Sequence, residues 1–290
     1  MGAAVARALA MGRGASALRG EVGLGYTGGM PLILVSNDDG VFAPGIEALV
    51  EAVEPLGEVI VCAPDTERSG SSHAITFHTH LRVGRVKRGA NWWRVSGTPV
   101  DCVYIGLHHL CPHKPDLVVS GINSGYNLGT DVFYSGTVGA AAEARIQGIP
   151  ALAVSADRGV SPRVAIPSVQ RIAGAMLKRG EPSLININVP RPPGLTDDST
   201  EEELDAAAAA LPIEVTRLGV RKYKNNVEAR KDPMGRTYYW IGGPALETDH
   251  TPGDDTYAVT HGTVAVTPLE LDITGADATV AQRLLDDSND

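Results

Sequence analysis

The stretch Pro31–Val35 is an uninterrupted apolar run, and the polar residues Ser36-Asn37-Asp38-Asp39-Gly40 follow it directly. An apolar run without alternation predicts a strand buried on both faces, as in a parallel sheet covered by helices. Ligand sites of such sheets lie at the carboxyl ends of the strands, which is where Asn37 to Gly40 would lie. The sequence therefore predicts an α/β fold with a polar loop at the sheet edge.

Asp38 and Asp39 are adjacent carboxylates in this predicted loop. Two partly desolvated carboxylates repel each other, and a divalent cation between them would relieve that cost. Asx and Gly residues are also common turn formers, because Asx side chains bond nearby amides and Gly tolerates positive φ. The pair by itself leaves a metal site and an ordinary turn both open.

The pattern of the first strand recurs along the chain. Apolar residues at helical spacing occupy positions 46–56, and a second apolar strand follows at Glu58–Ala63, which makes a βαβ unit. Further strands are predicted at Pro115–Asn123, Ile149–Ser155 and Leu184–Pro190. The predicted fold is a Rossmann-like, doubly wound and mostly parallel sheet with a C-terminal β-hairpin or arm extension.

Composition narrows the class of protein. The net charge of −9 argues against a broad basic surface for nucleic-acid polymers. The sequence has no run of 18 or more apolar residues, so no membrane span is predicted. Cys62, Cys102 and Cys111 are odd in number and lack paired metal-ligand spacing, which is typical of reduced thiols in the cytosol. We therefore expect a cytoplasmic protein without nucleic-acid or membrane partners.

We expect three segments along the chain. Residues 1–29 form a leader that is disordered or an artefact of start-site choice, since Met30 precedes the first strand; their arginines are also typical of a targeting peptide. Residues 30–190 form the Rossmann-like catalytic domain. Residues 191–290 form a hairpin and a C-terminal oligomerisation segment that complete the same domain.

The hairpin is predicted from two apolar stretches, Ile213–Leu218 and Tyr238–Ile241, which flank a polar tract with the turn signature Asp232-Pro233-Met234-Gly235. An isolated hairpin is barely stable in water. We therefore expect this hairpin to project from the domain and to pack on a partner subunit.

Other polar loops follow the later strands and should meet the first loop at the same sheet edge. Ser69, Ser71 and Ser72 follow the second strand, and one of them is a candidate ligand. Asn123 ends the strand Pro115–Asn123, and Asn127 follows it. Ser135, Gly136 and Thr137 open a helix of small residues, whose free amides are suited to hold a phosphate. A plain Ser/Thr helix cap explains the same residues equally well.

Five motifs between about Leu32 and Val189 resemble, in order, the signatures of the SurE (survival protein E) nucleotidase family. They are Ser36–Gly40 with Ala43–Gly45, Ala63–Asp65 with Arg68–Gly70, Ser96–Pro99, Ser120–Asn123 with Asn127–Gly129, and Tyr134–Val138. The resemblance implies a Rossmann-like fold and one divalent metal ion, Mg²⁺ or Mn²⁺. It assigns the metal to Asp38, Asp39, Ser69 and Asn123.

The resemblance also implies an activity and an assembly. The expected reaction is hydrolysis of nucleoside 5′- and 3′-monophosphates, with short polyphosphate as a side substrate, in homodimers or homotetramers. Asp38 and Asp39 would be catalytic, and Asn127, Ser135, Gly136 and Thr137 would bind the phosphate. No residue is assigned as the general acid that protonates the leaving oxygen, and His73 is a guess for that role.

Three other classes of protein are alternatives to a nucleotidase. A zinc deacetylase with paired aspartates needs histidine ligands, and none flanks Asp38. A Rossmann dehydrogenase needs Gly-x-Gly-x-x-Gly, which does not follow Val35. A regulatory module that binds nucleotide without turnover stays the alternative, although such a module has no reason to assemble four oxygen ligands.

Overall fold

The computed structural model describes residues 29–89, 91–196, 198–223, 226–242, 251–274 and 279–287. The expected leader lies outside the described residues except for its last position. The strands are β1 (Leu32–Ser36), β2 (Glu58–Pro64), β3 (Val83–Arg85), β4 (Trp92–Val95), β5 (Leu117–Ser124), β6 (Ala151–Ala156), β7 (Leu184–Val189), β8 (Ile213–Val215), β9 (Asn226–Lys231), β10 (Thr237–Gly242) and β11 (Val264–Leu269). The helices are α1 (Pro44–Val53), α2 (Pro99–Ile105), α3 (Gly136–Ile146), α4 (Ile166–Arg179), α5 (Glu201–Ala209), α6 (Asp255–Thr260) and α7 (Thr279–Asp287).

Nine of these strands form one sheet in the order β3-β4-β2-β1-β5-β6-β7-β11-β8. Its strands pair in parallel except at β3 with β4 and at β11 with β7. The predicted α/β fold with a mostly parallel sheet is confirmed.

Both faces of the sheet are covered, as the unbroken apolar run of β1 requires. Ile33 and Val35 pack into one buried cluster with residues of α1, α4 and α5. Leu32 and Leu34 pack into a second cluster with residues of α2 and α3 on the opposite face. The strand is therefore buried on both sides, which explains why its apolar residues do not alternate with polar ones.

The chain order reverses at β1, because β1 pairs with β2 on one side and with β5 on the other. Ligands of open α/β sheets bind in the crevice outside the carboxyl ends of strands at such a switch point. The loop after β1 carries Asp38 and Asp39, and β5 carries Asn123 near its carboxyl end. The topology therefore places these predicted ligands at one crevice.

The prediction for the C-terminal hairpin is wrong in its first strand. Ile213–Val215 forms β8, which pairs in parallel with β11 at the edge of the main sheet. The hairpin consists of β9 and β10, joined at the predicted turn, where the Asp232 amide donates to the Arg236 carbonyl at 2.9 Å. The apolar stretch Ile213–Leu218 indicates extended backbone. The hairpin turn is short, however, and joins only the two strands that flank it directly, β9 and β10.

Among the helices within the described residues, none is long and apolar enough to cross a membrane.

Gly45 in α1 lies against the irregular part of β5. A Cβ atom at Gly45 would lie 2.1 Å from the Ile122 carbonyl oxygen, whereas a Cβ atom at Gly174 in α4 would have Leu56 Cδ2 at 3.7 Å as its nearest neighbour. Helix α1 can therefore approach the strand beside the crevice only because residue 45 has no side chain.

We expect Gly45→Ala to lower the free energy of unfolding by about 1–3 kcal/mol, because the added methyl must displace backbone. Gly174→Ala is the matched control and should leave stability unchanged or raise it by up to about 1 kcal/mol. Urea denaturation of both variants measures the effect. Wild-type stability of Gly45→Ala would contradict the close approach.

Candidate metal and phosphate site

A cavity of about 700 Å³ lies outside the carboxyl ends of β1 and β5. All four predicted metal ligands line it, together with two of the four predicted phosphate ligands, Asn127 and Ser135. The complete lining is Asp38, Asp39, Glu67, Ser69, Gly70, Asn123, Ser124, Gly125, Tyr126, Asn127, Asp131, Tyr134, Ser135, Arg158 and Tyr223.

The loop after β1 is a tight turn closed by Asn37. Its Nδ2 donates to the Gly40 carbonyl at 2.9 Å, and its Oδ1 accepts from the Gly40 amide at 3.1 Å. Gly40 has a φ of +100°, which side chains rarely allow. The turn and ligand interpretations of this loop are therefore both compatible with the structure: Asn37 and Gly40 form the turn, and Asp38 and Asp39 face the cavity.

Asp38 is only 4 % exposed, and its Oδ1 accepts a short hydrogen bond from the hydroxyl of Thr137. Burial raises the pKa of Asp38 to about 6; the Thr137 hydrogen bond opposes that rise, and the charge of Asp39 adds to it. A carboxylate in this position is costly to ionise unless a cation lies beside it. The position of Asp38 therefore favours a bound cation.

Asp39 is less buried and accepts a hydrogen bond from the Ser124 amide at 3.3 Å. Burial raises its pKa; the Ser124 amide lowers it, the charge of Glu67 raises it and that of Arg158 lowers it. Two neighbouring carboxylates therefore share one crevice with a third acid, Glu67, at its rim.

Ser69 and Asn123 complete the predicted metal set. The Ser69 hydroxyl donates to Glu67 Oε1 at 2.7 Å, which leaves its oxygen lone pairs available. The Asn123 Nδ2 donates to the Gly125 carbonyl at 2.8 Å, so Oδ1 is the atom that Asn123 offers to a ligand. Both residues line the cavity with the two aspartates.

This donor set fits a hard divalent ion. Two carboxylates, a hydroxyl and an amide oxygen are the ligands that Mg²⁺ and Mn²⁺ prefer, and so few protein donors leave room for water and phosphate oxygen. Within the described ranges, no group of three or more His, Cys, Asp or Glu residues could hold a metal. That result agrees with the site, because only two of its four donors belong to those types.

The N-terminus of α3 forms another wall of the cavity. Ser135 caps the helix, since its hydroxyl accepts from the Val138 amide at 3.1 Å, and the same residue lines the cavity. Gly136 and Thr137 are buried and are absent from the lining. A Cβ atom at Gly136 would lie 3.0 Å from Asp38 Cβ, so the helix begins directly against the aspartate.

Thr137 therefore has a different position from the one expected for a phosphate ligand. Its hydroxyl is committed to Asp38, so the side chain acts on the aspartate and not on the cavity. His73, the guessed general acid, lies 3.0 Å from Glu143 Oε2 through its Nε2 and is also absent from the lining.

Asn127 is held by polar residues that the sequence analysis did not assign. The Asn188 Oδ1 accepts from the Asn127 amide at 2.8 Å, and the Nδ2 atoms of Asn186 and Asn188 donate to its carbonyl at 2.8 and 3.1 Å. The Asn127 Nδ2 donates to the Ser155 hydroxyl at 2.8 Å. Polar alternation in the apolar strand β7 was the signal for this network.

Arg158, in the loop after β6, is the only Lys or Arg among the lining residues. Its Nη2 lies 3.5 Å from the position that a Cβ atom of Gly125 would take. Asp38, Asp39, Glu67 and Asp131 give the cavity four carboxylates against this one guanidinium. Arg158 could not be recognised from the sequence, because a lone arginine in a loop carries no pattern.

Comparisons with known proteins identify the family of this chain. The family model described as "Survival protein SurE" matches residues 33–225. The chain is 46 % identical over 247 residues to the "5′-nucleotidase SurE" of Geobacter metallireducens, covering 83 % of this chain and 92 % of that protein. It is 43 % identical over 256 residues to the protein of the same name from Sorangium cellulosum, covering 85 % and 92 %.

A solved structure is similar throughout its length. The crystal structure of the SurE protein from Aquifex aeolicus has a TM-score of 0.71 and 40 % identity, covering 88 % of this chain and all of that one. The motifs quoted from the sequence fall inside or directly beside the matched range of the family model. This chain belongs to the survival protein SurE family.

Proposed function

We propose that this chain hydrolyses nucleoside 5′-monophosphates at the cavity between β1 and β5, with one divalent metal ion. The observation that carries the proposal is the convergence of four oxygen donors, Asp38, Asp39, Ser69 and Asn123, on one crevice from the loops after β1 and β2 and from the end of β5. The chain is a 5′-nucleotidase of the SurE family, as the curated relatives are.

When bound, Mg²⁺ or Mn²⁺ would polarise the phosphoryl group and lower the pKa of water at the site. Asp38 supplies a carboxylate whose second oxygen is fixed by Thr137. Asp39, bonded to the Ser124 amide, accepts a proton from the attacking water, whose oxygen forms the new bond to phosphorus. The bond from phosphorus to the nucleoside 5′-oxygen breaks and that oxygen takes up a proton, so the products are nucleoside and inorganic phosphate.

The phosphate would be bound by neutral donors and one guanidinium that line the same cavity as the aspartates. Ser135, the residue that caps α3, and Asn127 line the cavity and provide neutral donors. Arg158 adds the positive charge that a dianionic phosphate requires in a cavity with four carboxylates. These groups would stabilise the negative charge that shifts among the oxygens in the transition state.

We also infer an assembly and a location. The hairpin exposes Tyr239, Trp240 and Ile241, which are 59–88 % exposed, and such a surface is suited to a second copy in a homodimer or homotetramer. None of the three cysteines forms a disulfide, which supports a cytoplasmic location.

Phosphate release from AMP tests the proposal. We expect EDTA to abolish release and Mn²⁺ or Mg²⁺ to restore it. Asp38→Asn should lower kcat by about a hundredfold or more, since it removes a negative charge from the metal ligands.

Asp286→Asn, an exposed change on α7, is the matched control and should behave as wild type. Thermal unfolding must show that Asp38→Asn stays folded. Nucleotide binding without phosphate release under any metal would contradict the enzyme and favour the regulatory module.

Arg158→Gln tests the phosphate clamp separately from the metal. We expect kcat/KM for AMP to fall about tenfold to a hundredfold, because a charge-assisted hydrogen bond is worth about 1.5–3 kcal/mol. Inhibition by inorganic phosphate should weaken in parallel. Arg236→Gln, on the exposed hairpin turn, is the control, and equal kinetics of the two variants would exclude Arg158 from phosphate binding.

A further inference from the structure

Three of the eight tyrosines of the chain line the cavity, namely Tyr126, Tyr134 and Tyr223. Tyr223 differs from the other two because it comes from the segment between β8 and the hairpin and not from a loop of the parallel strands. A residue that reaches the cavity from so far along the chain needs its own anchor, and the structure provides one.

The anchor is Asp255, a fully buried carboxylate at the start of α6. Its Oδ2 accepts from the Gly129 amide at 2.8 Å and its Oδ1 from the Gly219 amide at 2.9 Å. A Cβ atom at Gly129 would lie 2.6 Å from the Gly219 carbonyl oxygen, so the two backbones are in direct contact. The segment before Tyr223 is therefore fastened to the loop after β5.

The Tyr223 ring is held by a second set of contacts. Its hydroxyl donates to Asp131 Oδ2 at 2.6 Å, and Arg221 donates to the same oxygen at 2.8 Å. The Arg221 guanidinium lies over the ring, 5.6 Å from its centroid. One face of the ring is thus covered by a cation, and the side chain stays 42 % exposed at the cavity.

The other two tyrosines do not combine a fixed ring with an open face. Tyr126 is half-buried and packs on a small apolar cluster that contains Ala258 and Val259. Tyr134 directly precedes the cap residue Ser135, at the phosphate end of the cavity, and is 71 % exposed. Tyr223 is the lining ring that is both oriented by its neighbours and accessible.

We propose that Tyr223 stacks on the nucleobase of the bound nucleoside monophosphate. It would thereby determine the specificity of this nucleotidase for phosphate esters that carry a base over those that lack one. The inference rests on the proposed function, because the oxygen donors and Arg158 anchor the phosphate. A cavity of about 700 Å³ has room for the nucleoside beyond that anchor. Every base has a π face, so a fixed aromatic ring binds bases with little regard to their edges.

A comparison of AMP with ribose 5-phosphate, which lacks the base, tests the inference in the full-length chain with Mn²⁺. Tyr223→Leu should raise KM for AMP about tenfold to a hundredfold, from the usual strength of base stacking, and should leave KM for ribose 5-phosphate unchanged. Tyr223→Phe keeps the ring but loses the hydroxyl bond to Asp131, so it should raise KM for AMP by less than Tyr223→Leu does. Tyr104→Leu is the matched control, because Tyr104 is also 42 % exposed and does not line the cavity.

Equal effects of Tyr223→Leu on the two substrates, or no effect on either, would overturn the stacking while leaving the nucleotidase intact. Calorimetric affinities for AMP and ribose 5-phosphate supply the same ratio without turnover. If wild type released no phosphate from either compound, the proposed function would fail, and this affinity ratio would still decide the role of Tyr223.

Discussion

The buried Asp38 carboxylate is the constraint on which the rest of the site depends. The fold keeps it almost out of water, beside a second carboxylate, with one hydroxyl bonded to it. Burial beside a second carboxylate disfavours the anion of Asp38, and a cation nearby would stabilise it, so this position favours a bound metal ion. Ser69 and Asn123 add neutral oxygens, which complete a site for a hard ion without adding repulsion.

The switch in strand order makes this convergence possible. Loops from β1, β2 and β5 meet because these strands are neighbours in the sheet with their carboxyl ends at one edge. Asn186 and Asn188 of β7 hold the Asn127 loop in place by hydrogen bonds to the Asn127 backbone. The Asn127 loop is therefore fixed by hydrogen bonds to a buried strand.

Much of this could be predicted from the sequence, for a physical reason. Asp38, Asp39 and Asn123 directly follow or end apolar runs, and parallel topology brings such ends together. The choice of Ser69 among the serines after the second strand came from the family resemblance. The helix cap at Ser135 was also visible, because capping depends on neighbouring residues alone. The hydrogen bond from the Thr137 hydroxyl to Asp38 could not be predicted, because it depends on how α3 packs against β1.

Contacts that join distant parts of the chain left no local signal. Asp255 holds Gly129 across 126 positions, and Tyr223 reaches Asp131 across 92. The extended character of Ile213–Leu218 was evident, but not its partner, because a strand pattern does not say which strand lies beside it. The base-contacting wall of the cavity therefore became visible only in three dimensions.

The most direct test of the account is the number of Mn²⁺ ions that the chain binds, counted by electron paramagnetic resonance during titration. We expect one tightly bound ion per wild-type chain. We also expect the double variant Asp38→Asn and Asp39→Asn to lose that ion, while its circular dichroism spectrum shows that the fold is retained. Undiminished binding in the folded double variant, or no bound ion in wild type, would contradict the account.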